Sequence, residues 1–163
     1  MPRTSIAVEE IVTMLAAAPE RIAAVTKGLT EEQLHTPPSD GEWSINDILA
    51  HMRACADQWG DSIVTIVNED HPTIRAINPR SWIKRTDYRE LQFGESFRAY
   101  TDQRAELMND LQSLSADDWN RSATVTGAGA PLERTVHGYA QRLARHERPH
   151  LKQIEQTARV VRG

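Results

Sequence analysis

Four stretches of about twenty residues or more carry apolar side chains every three or four positions, and no stretch alternates convincingly with a period of two. That repeat limits the chain to helices that each bury one stripe, because residues three and four apart share a helix face. The first stretch runs from about Ser5 to Lys27, with Ile6, Ile11, Leu15, Ala18, Ile22 and Val25 on one side. Pro19 lies inside it and removes a backbone donor, so a kink or break is expected there, and Gly28 stands where helices commonly stop. The second runs from Ile45 to about Asn68 and has the clearest start in the chain. Ser44 as N-cap and Asp47 three residues on form a capping box, and Trp43 before the cap can pack on Ile48 after it. The third spans roughly Glu95 to Ser113, with Phe97, Tyr100, Leu107, Leu111 and Leu114 inward, and the fourth runs from near Thr135 to about Val160.

Four such helices in 163 residues predict an all-α fold, a four-helix bundle forming a single domain over residues 1–163. The connection from 69 to 87, punctuated by Pro72, Asn78 and Pro79, is long for a compact bundle, and connections of that length are often functional. Thr126-Gly127-Ala128-Gly129-Ala130-Pro131 reads as a loop; it lacks the lysine and spacing of a phosphate-binding loop.

Composition narrows the function classes. An apolar fraction of 39% and a charged fraction of 26% suit an ordinary soluble protein. No stretch approaches the ~20 apolar residues of a membrane span, and Glu9-Glu10 interrupt the one candidate for a signal peptide. Cys55 is alone, so no intrachain disulfide forms and a reducing cytoplasm is the expected compartment. The net charge of -4 hides a basic C-terminal segment, where Arg134, Arg142, Arg145, Arg148, Lys152, Arg159 and Arg162 face only Glu147 and Glu155. Tyr139 is the sole aromatic there, too few for a nucleic-acid surface. Those cations read as a solvated helix face, with an anionic substrate as their other use. Apolar residues left over on the long helices would suit a homodimer.

The chemistry-bearing residues are histidines. His146 and His150 lie four apart in the last helix, on the line Tyr139, Leu143, His146, His150, Ile154, so both rings should turn toward the core. Six histidines placed at random would give about 0.2 such pairs, so the pair alone is weak. His51, beside Ile48 and Met52 on the second helix, strengthens it. Three inward imidazoles in a small bundle can hold a divalent metal and leave a coordination position open. Cys55, one turn after His51, could add a thiolate, although a small buried side chain is its simpler role. Asp47, one turn before His51, could orient that ring in addition to capping. Arg104 interrupts the third helix's apolar line and needs a carboxylate, from the protein or from a substrate.

His146-Glu147-Arg148-Pro149-His150 also fits the H-E-x-x-H pattern of zinc peptidases. None of the thirteen residues after His150 is a histidine, and Gln153 and Gln156 stand where the extended motif needs Gly and His. The peptidase reading is rejected.

Gly41-Glu42-Trp43-Ser44-Ile45 leading to Leu49-Ala50-His51, together with His146-x-x-x-His150-Leu151-Lys152-Gln153-Ile154, resembles the DinB-like superfamily of metal-binding bundles. Phe97-Arg98, Arg104, Leu107, Leu111, Leu114 and Asp118-Trp119 fit the same pattern, which covers nearly the whole chain. The resemblance implies a four-helix bundle of unusual connection order. It implies a divalent metal, commonly zinc or nickel, held by His51, His146 and His150. It also implies activities of hydrolase type, or transfer and isomerisation with thiols such as mycothiol or bacillithiol, on a small-molecule substrate. The alternative is a non-catalytic bundle that binds a metal or small ligand in a stress-related role. Pro149 between two ligands departs from the pattern.

Overall fold

The computed structural model describes residues 4–163. Its four long helices are α1 (Val8–Thr26), α3 (Ile45–Asn68), α5 (Phe93–Gln112) and α7 (Val136–Arg162). Single-turn helices α2 (Glu31–Leu34), α4 (Pro79–Trp82) and α6 (Ala116–Trp119) sit in the connections, and a 3-10 turn at Ile83–Arg85 follows α4. No helix among the described residues is long and apolar enough to cross a membrane.

The start of α3 forms as its sequence dictates. Ser44 Oγ accepts from Asp47 N at 3.1 Å, and Ser44 N donates to Asp47 Oδ2 at 3.2 Å. The reciprocal bonds satisfy two of the donors that a helix N-terminus leaves without partners. Helix α1 ends at Thr26, and Gly28 just beyond turns the chain with a φ of +82° that costs a glycine little.

Pro19 neither breaks nor ends α1, which continues to Thr26. Proline lacks the N–H that would reach back to Leu15 O, and that carbonyl instead accepts from Arg104 Nη1 at 2.9 Å. The lost backbone bond is replaced from a neighbouring helix.

The packing order departs from a simple up-and-down bundle. Helix α7 packs on α3 and α1, while α5 packs on α1 and α3. Consecutive long helices α1 and α3 therefore lie diagonally across the bundle, and so do α5 and α7. Asn46, in the first turn of α3, donates to Arg89 O and Leu91 O just before α5, so both helices start at the same end and the chain between them returns along the side of the molecule.

An all-α fold is not what forms. The two long connections pair into a three-stranded mixed sheet of order β1-β2-β3, with β1 at Thr73–Arg75, β2 at Ser122–Thr126 and β3 at Leu132–Thr135. Strand β1 runs parallel to β2, matching Ile74 to Val125, and β2 runs antiparallel to β3. The β2–β3 turn uses Gly127 and Gly129, both at positive φ, in the segment expected to be plain loop. Ala123 and Val125 of β2 turn inward and join the bundle core.

That core divides in two. One cluster gathers Leu15, Ile63, Leu111, Leu143 and the inward side of β2. The other gathers Ile22, Ile48, Leu49, Met52, Phe93 and Ile154. Between them lies a polar layer. Arg104 donates to both carboxylate oxygens of Glu147, at 2.9 and 2.5 Å, and Tyr100 Oη donates to Glu147 at 2.9 Å. All three side chains are buried, which requires full pairing of this kind.

Candidate metal centre

The polar layer continues on the α3–α7 side of the bundle as a cluster of rings. Helix α3 presents His51 and Cys55 one turn apart, and α7 presents His146 and His150 one turn apart. The two helices pack directly, so the two pairs meet. His51 Nε2 and His146 Nε2 are 3.0 Å apart. The ring centroid of His150 lies 4.5 Å from that of His146 and 4.8 Å from that of His51.

The structure thus brings together the three histidines that spacing singled out, with Cys55, the candidate thiolate one turn after His51, beside them. The Cys55 sulfur stands 3.8 Å from His51 Nε2 and 3.6 Å from His146 Nε2. Ligand atoms of His51, Cys55 and His146 all lie within 4.8 Å of one another. His150 is tied by Nδ1 to Gln153 Oε1 at 3.0 Å, which leaves Nε2 as its free nitrogen.

Electrostatics suits cation binding. Burial, then the charge of His150, lowers the His51 pKa to about 4, and the same two causes lower that of His146 to about 3. Both rings are therefore neutral near pH 7, the form that offers a lone pair to a metal. Burial and then Glu147 push the Cys55 thiol up to about 12, so it is protonated when no cation is near. Two nitrogens sharing one zinc at ~2.1 Å each stand roughly 3 to 3.4 Å apart, and the 3.0 Å between His51 and His146 agrees. The donor set fits a divalent ion.

Tryptophans wall the cluster. Trp43 approaches the His51 ring at 5.2 Å, and Trp59 meets His146 edge-on at 5.1 Å. Packing against Trp59 holds the His146 ring, whose Nδ1 is buried with no partner among the described residues. A cavity of about 360 Å³ opens on His51 and is lined by Trp43, Asp47, Arg80, Ile83 and Arg89. A second, of about 480 Å³, opens on His150, Gln153 and the other side of Trp43. A third, of about 610 Å³, lies beyond Trp59 against the sheet and includes Arg142.

Other residues singled out by sequence lie elsewhere. Asp47 borders the His51 cavity, but its carboxylate accepts from Ser44 N and from Arg89 Nε. Arg104 finds its carboxylate inside the protein, on Glu147. Glu147 is thereby held in the core by Arg104 and Tyr100, so the glutamate of H-E-x-x-H is not placed to act on a water at the histidines. Trp59, Arg80 and Arg142 escape sequence reasoning. Trp59 reads as one more apolar stripe residue, Arg142 as part of a solvated basic face, and nothing in the sequence marks Arg80.

Known proteins show what the whole chain is similar to. Residues 14–154 match the family model described as the DinB superfamily. A protein of Geobacillus thermodenitrificans named "Putative metal-dependent hydrolase" is 26% identical over 127 residues, covering 74% of this chain and 68% of that protein. One of Geobacillus kaustophilus, likewise named a "Putative metal-dependent hydrolase", is 26% identical over 153 residues, covering 90% and 82%. Among solved structures, YfiT from Bacillus subtilis superposes with a TM-score of 0.80 at 18% identity, covering 98% of this chain and 91% of its own. YfiT is described as having "an unusual four-helix bundle topology", and the superposition shows that this chain shares its fold.

Proposed function

The chain belongs to the DinB superfamily, and from that premise we propose that it is a metal-dependent enzyme of hydrolase type acting on a small molecule. His51, His146 and His150 are its metal ligands. The observation that carries this reading is the 3.0 Å approach of two half-buried Nε2 atoms, with a third imidazole beside both. The names of the relatives support the hydrolytic form.

A divalent ion such as zinc or nickel, when bound, supplies Lewis acidity that activates a nucleophile near neutral pH. The chain's own groups do the rest. Burial keeps His51 and His146 unprotonated and ready to ligate. Gln153 fixes the His150 ring through Nδ1, and the Arg104–Glu147 pair locks α7 in rotation, so that both histidines face α3. Trp43 and Trp59 keep bulk water from two sides and leave the cavity at His51 for a substrate.

A low-molecular-weight thiol such as mycothiol or bacillithiol is the other nucleophile the site could take, giving transfer in place of hydrolysis. A second reading comes from Cys55. With its sulfur within 4 Å of both nitrogens, it could saturate the ion and leave a binding protein without turnover.

The test is metal content followed by assay. Purified protein is expected to hold one zinc or nickel ion per chain, lost in His51→Ala, His146→Ala and His150→Ala. Hydrolysis of a panel of esters and amides, or transfer of a thiol to an electrophile, is expected to require the ion. Full metal retention in all three variants would sink the reading. Metal binding without turnover would favour the saturated site.

A further inference from the structure

Most charged groups around the cluster already have partners. Arg89 pairs with Asp47, and Arg104 pairs with Glu147. Asp57 accepts from Trp82 Nε1, Tyr88 Oη and Gln103 Nε2, at 2.9, 2.6 and 2.6 Å. Arg53, also without a carboxylate, is buried against Tyr88 and bonded to Ser96 Oγ, and two exposed guanidiniums stand beside the cluster. Arg80, on α4, lines the same cavity as His51. Arg142, on α7 one turn before His146, stands 4.7 Å over the Trp59 ring that meets His146. Among the described residues, neither has a carboxylate within ion-pair distance.

Their placement gives these two charges a meaning that scattered surface arginines lack. Arg80 lines the His51 cavity and its chain neighbour Pro79 lines the 610 Å³ cavity that holds Arg142, so the two cavities meet at α4. Arg142 also lies close enough to Arg134, which lines the same 610 Å³ cavity, for the two like charges to disfavour each other.

Charge balance completes the case. Neutral imidazoles leave a bound divalent ion's charge uncompensated, and the two arginines add to it. Of the nearby acids, Glu147 is paired with Arg104, Asp57 takes three neutral donors, and Asp61 lies across the 610 Å³ cavity. An electropositive cleft with apolar walls concentrates small anions, and a guanidinium matches a carboxylate in shape and donor spacing.

We propose that the small molecule acted on at the cluster carries a carboxylate, held by Arg80 and Arg142 while its reacting group reaches the ligand side of His51. This deepens the metal reading above and rests on it.

Cobalt(II)-loaded protein separates the two, because its visible absorption reports both the bound ion and any ligand that joins it. Two probes share a metal-binding hydroxamate and differ only at the far end: butyrohydroxamate ends in a methyl, succinate monohydroxamate in a carboxylate. The carboxylate probe is expected to bind wild-type protein about tenfold tighter or more. Arg80→Gln and Arg142→Gln should each cut that preference several-fold, with cobalt content and butyrohydroxamate affinity unchanged, and added salt should narrow it. Equal affinity for both probes, or a preference that survives both substitutions, overturns the carboxylate assignment and leaves the metal reading standing. Failure of cobalt to bind at all removes the metal reading, and the carboxylate site with it.

Discussion

Whether the cluster is open or closed turns on one atom, the Cys55 sulfur. Buried beside two imidazoles, the thiol has its pKa raised to about 12, so it must surrender a proton before it can bind a cation. Proton release makes affinity depend on pH, with about a tenfold gain per pH unit for each proton lost. His51 and His146, with pKa values of about 4 and 3, have no proton to lose near pH 7. If Cys55 ligates, zinc affinity measured against a competing chelator between pH 6.5 and 8 should rise more steeply in wild type than in Cys55→Ala, by about one proton. Identical slopes would leave the thiol uncoordinated and the position open to water. At this scale the sequence was informative where spacing decides the matter. His146 and His150 at i,i+4, and His51 on the border of an apolar stripe, could be read directly. Arg80 and Arg142 could not, because their role depends on which loop and which helix the fold sets beside the histidines.

Among the elements, the diagonal pair α5 and α7 is joined through the core by Arg104 and Glu147, and α1 is drawn in through Leu15 O. Removing one member strands a charge in a region that is 3% exposed, and such losses cost about 3–5 kcal/mol. Arg104→Met should therefore lower the unfolding free energy by about that much in urea titration. The double variant Arg104→Met, Glu147→Leu should recover most of it, since no charge is then left unpaired. Equal destabilisation by single and double variants would show that the pair's hydrogen bonds, and not the stranded charge, dominate. The helices themselves were legible in the chain: Ser44 and Asp47 marked the start of α3, and apolar spacing located all four long helices to within a few residues. The sheet was not. Strands of three to five residues give too few alternations to show a period, and β1 meets β2 only after about fifty intervening residues have folded. A signal did exist in Thr124-Val125-Thr126, β-branched residues running into the glycine-rich turn.

For the molecule as a whole, the consequence is that a bound ion would act as a staple. His51 belongs to α3 and His146 and His150 to α7, at the junction of two separate core clusters, so an ion held by all three resists the parting of these two packed helices. An ion that binds only the folded chain adds RT ln(1 + [L]/Kd), about 2.7 kcal/mol at a hundred times Kd. For a chain of this length that is a rise in Tm of roughly 5–10 °C. Acid works against it through the same side chains. The His51 and His146 pKa values are depressed in the folded state from 6.5 to about 4 and about 3. Unfolded chain therefore binds protons that folded chain refuses between pH 6.5 and those values. Stability from this source is complete above pH 6.5 and is lost as the pH falls toward 4. Thermal melts in zinc and in EDTA from pH 7.5 to 4.5 should show the zinc increment at the upper end. The EDTA curve should decline below pH 6.5, and less steeply in His51→Asn, His146→Asn protein. A zinc increment that persists in that double variant would place the stabilising ion elsewhere on the chain.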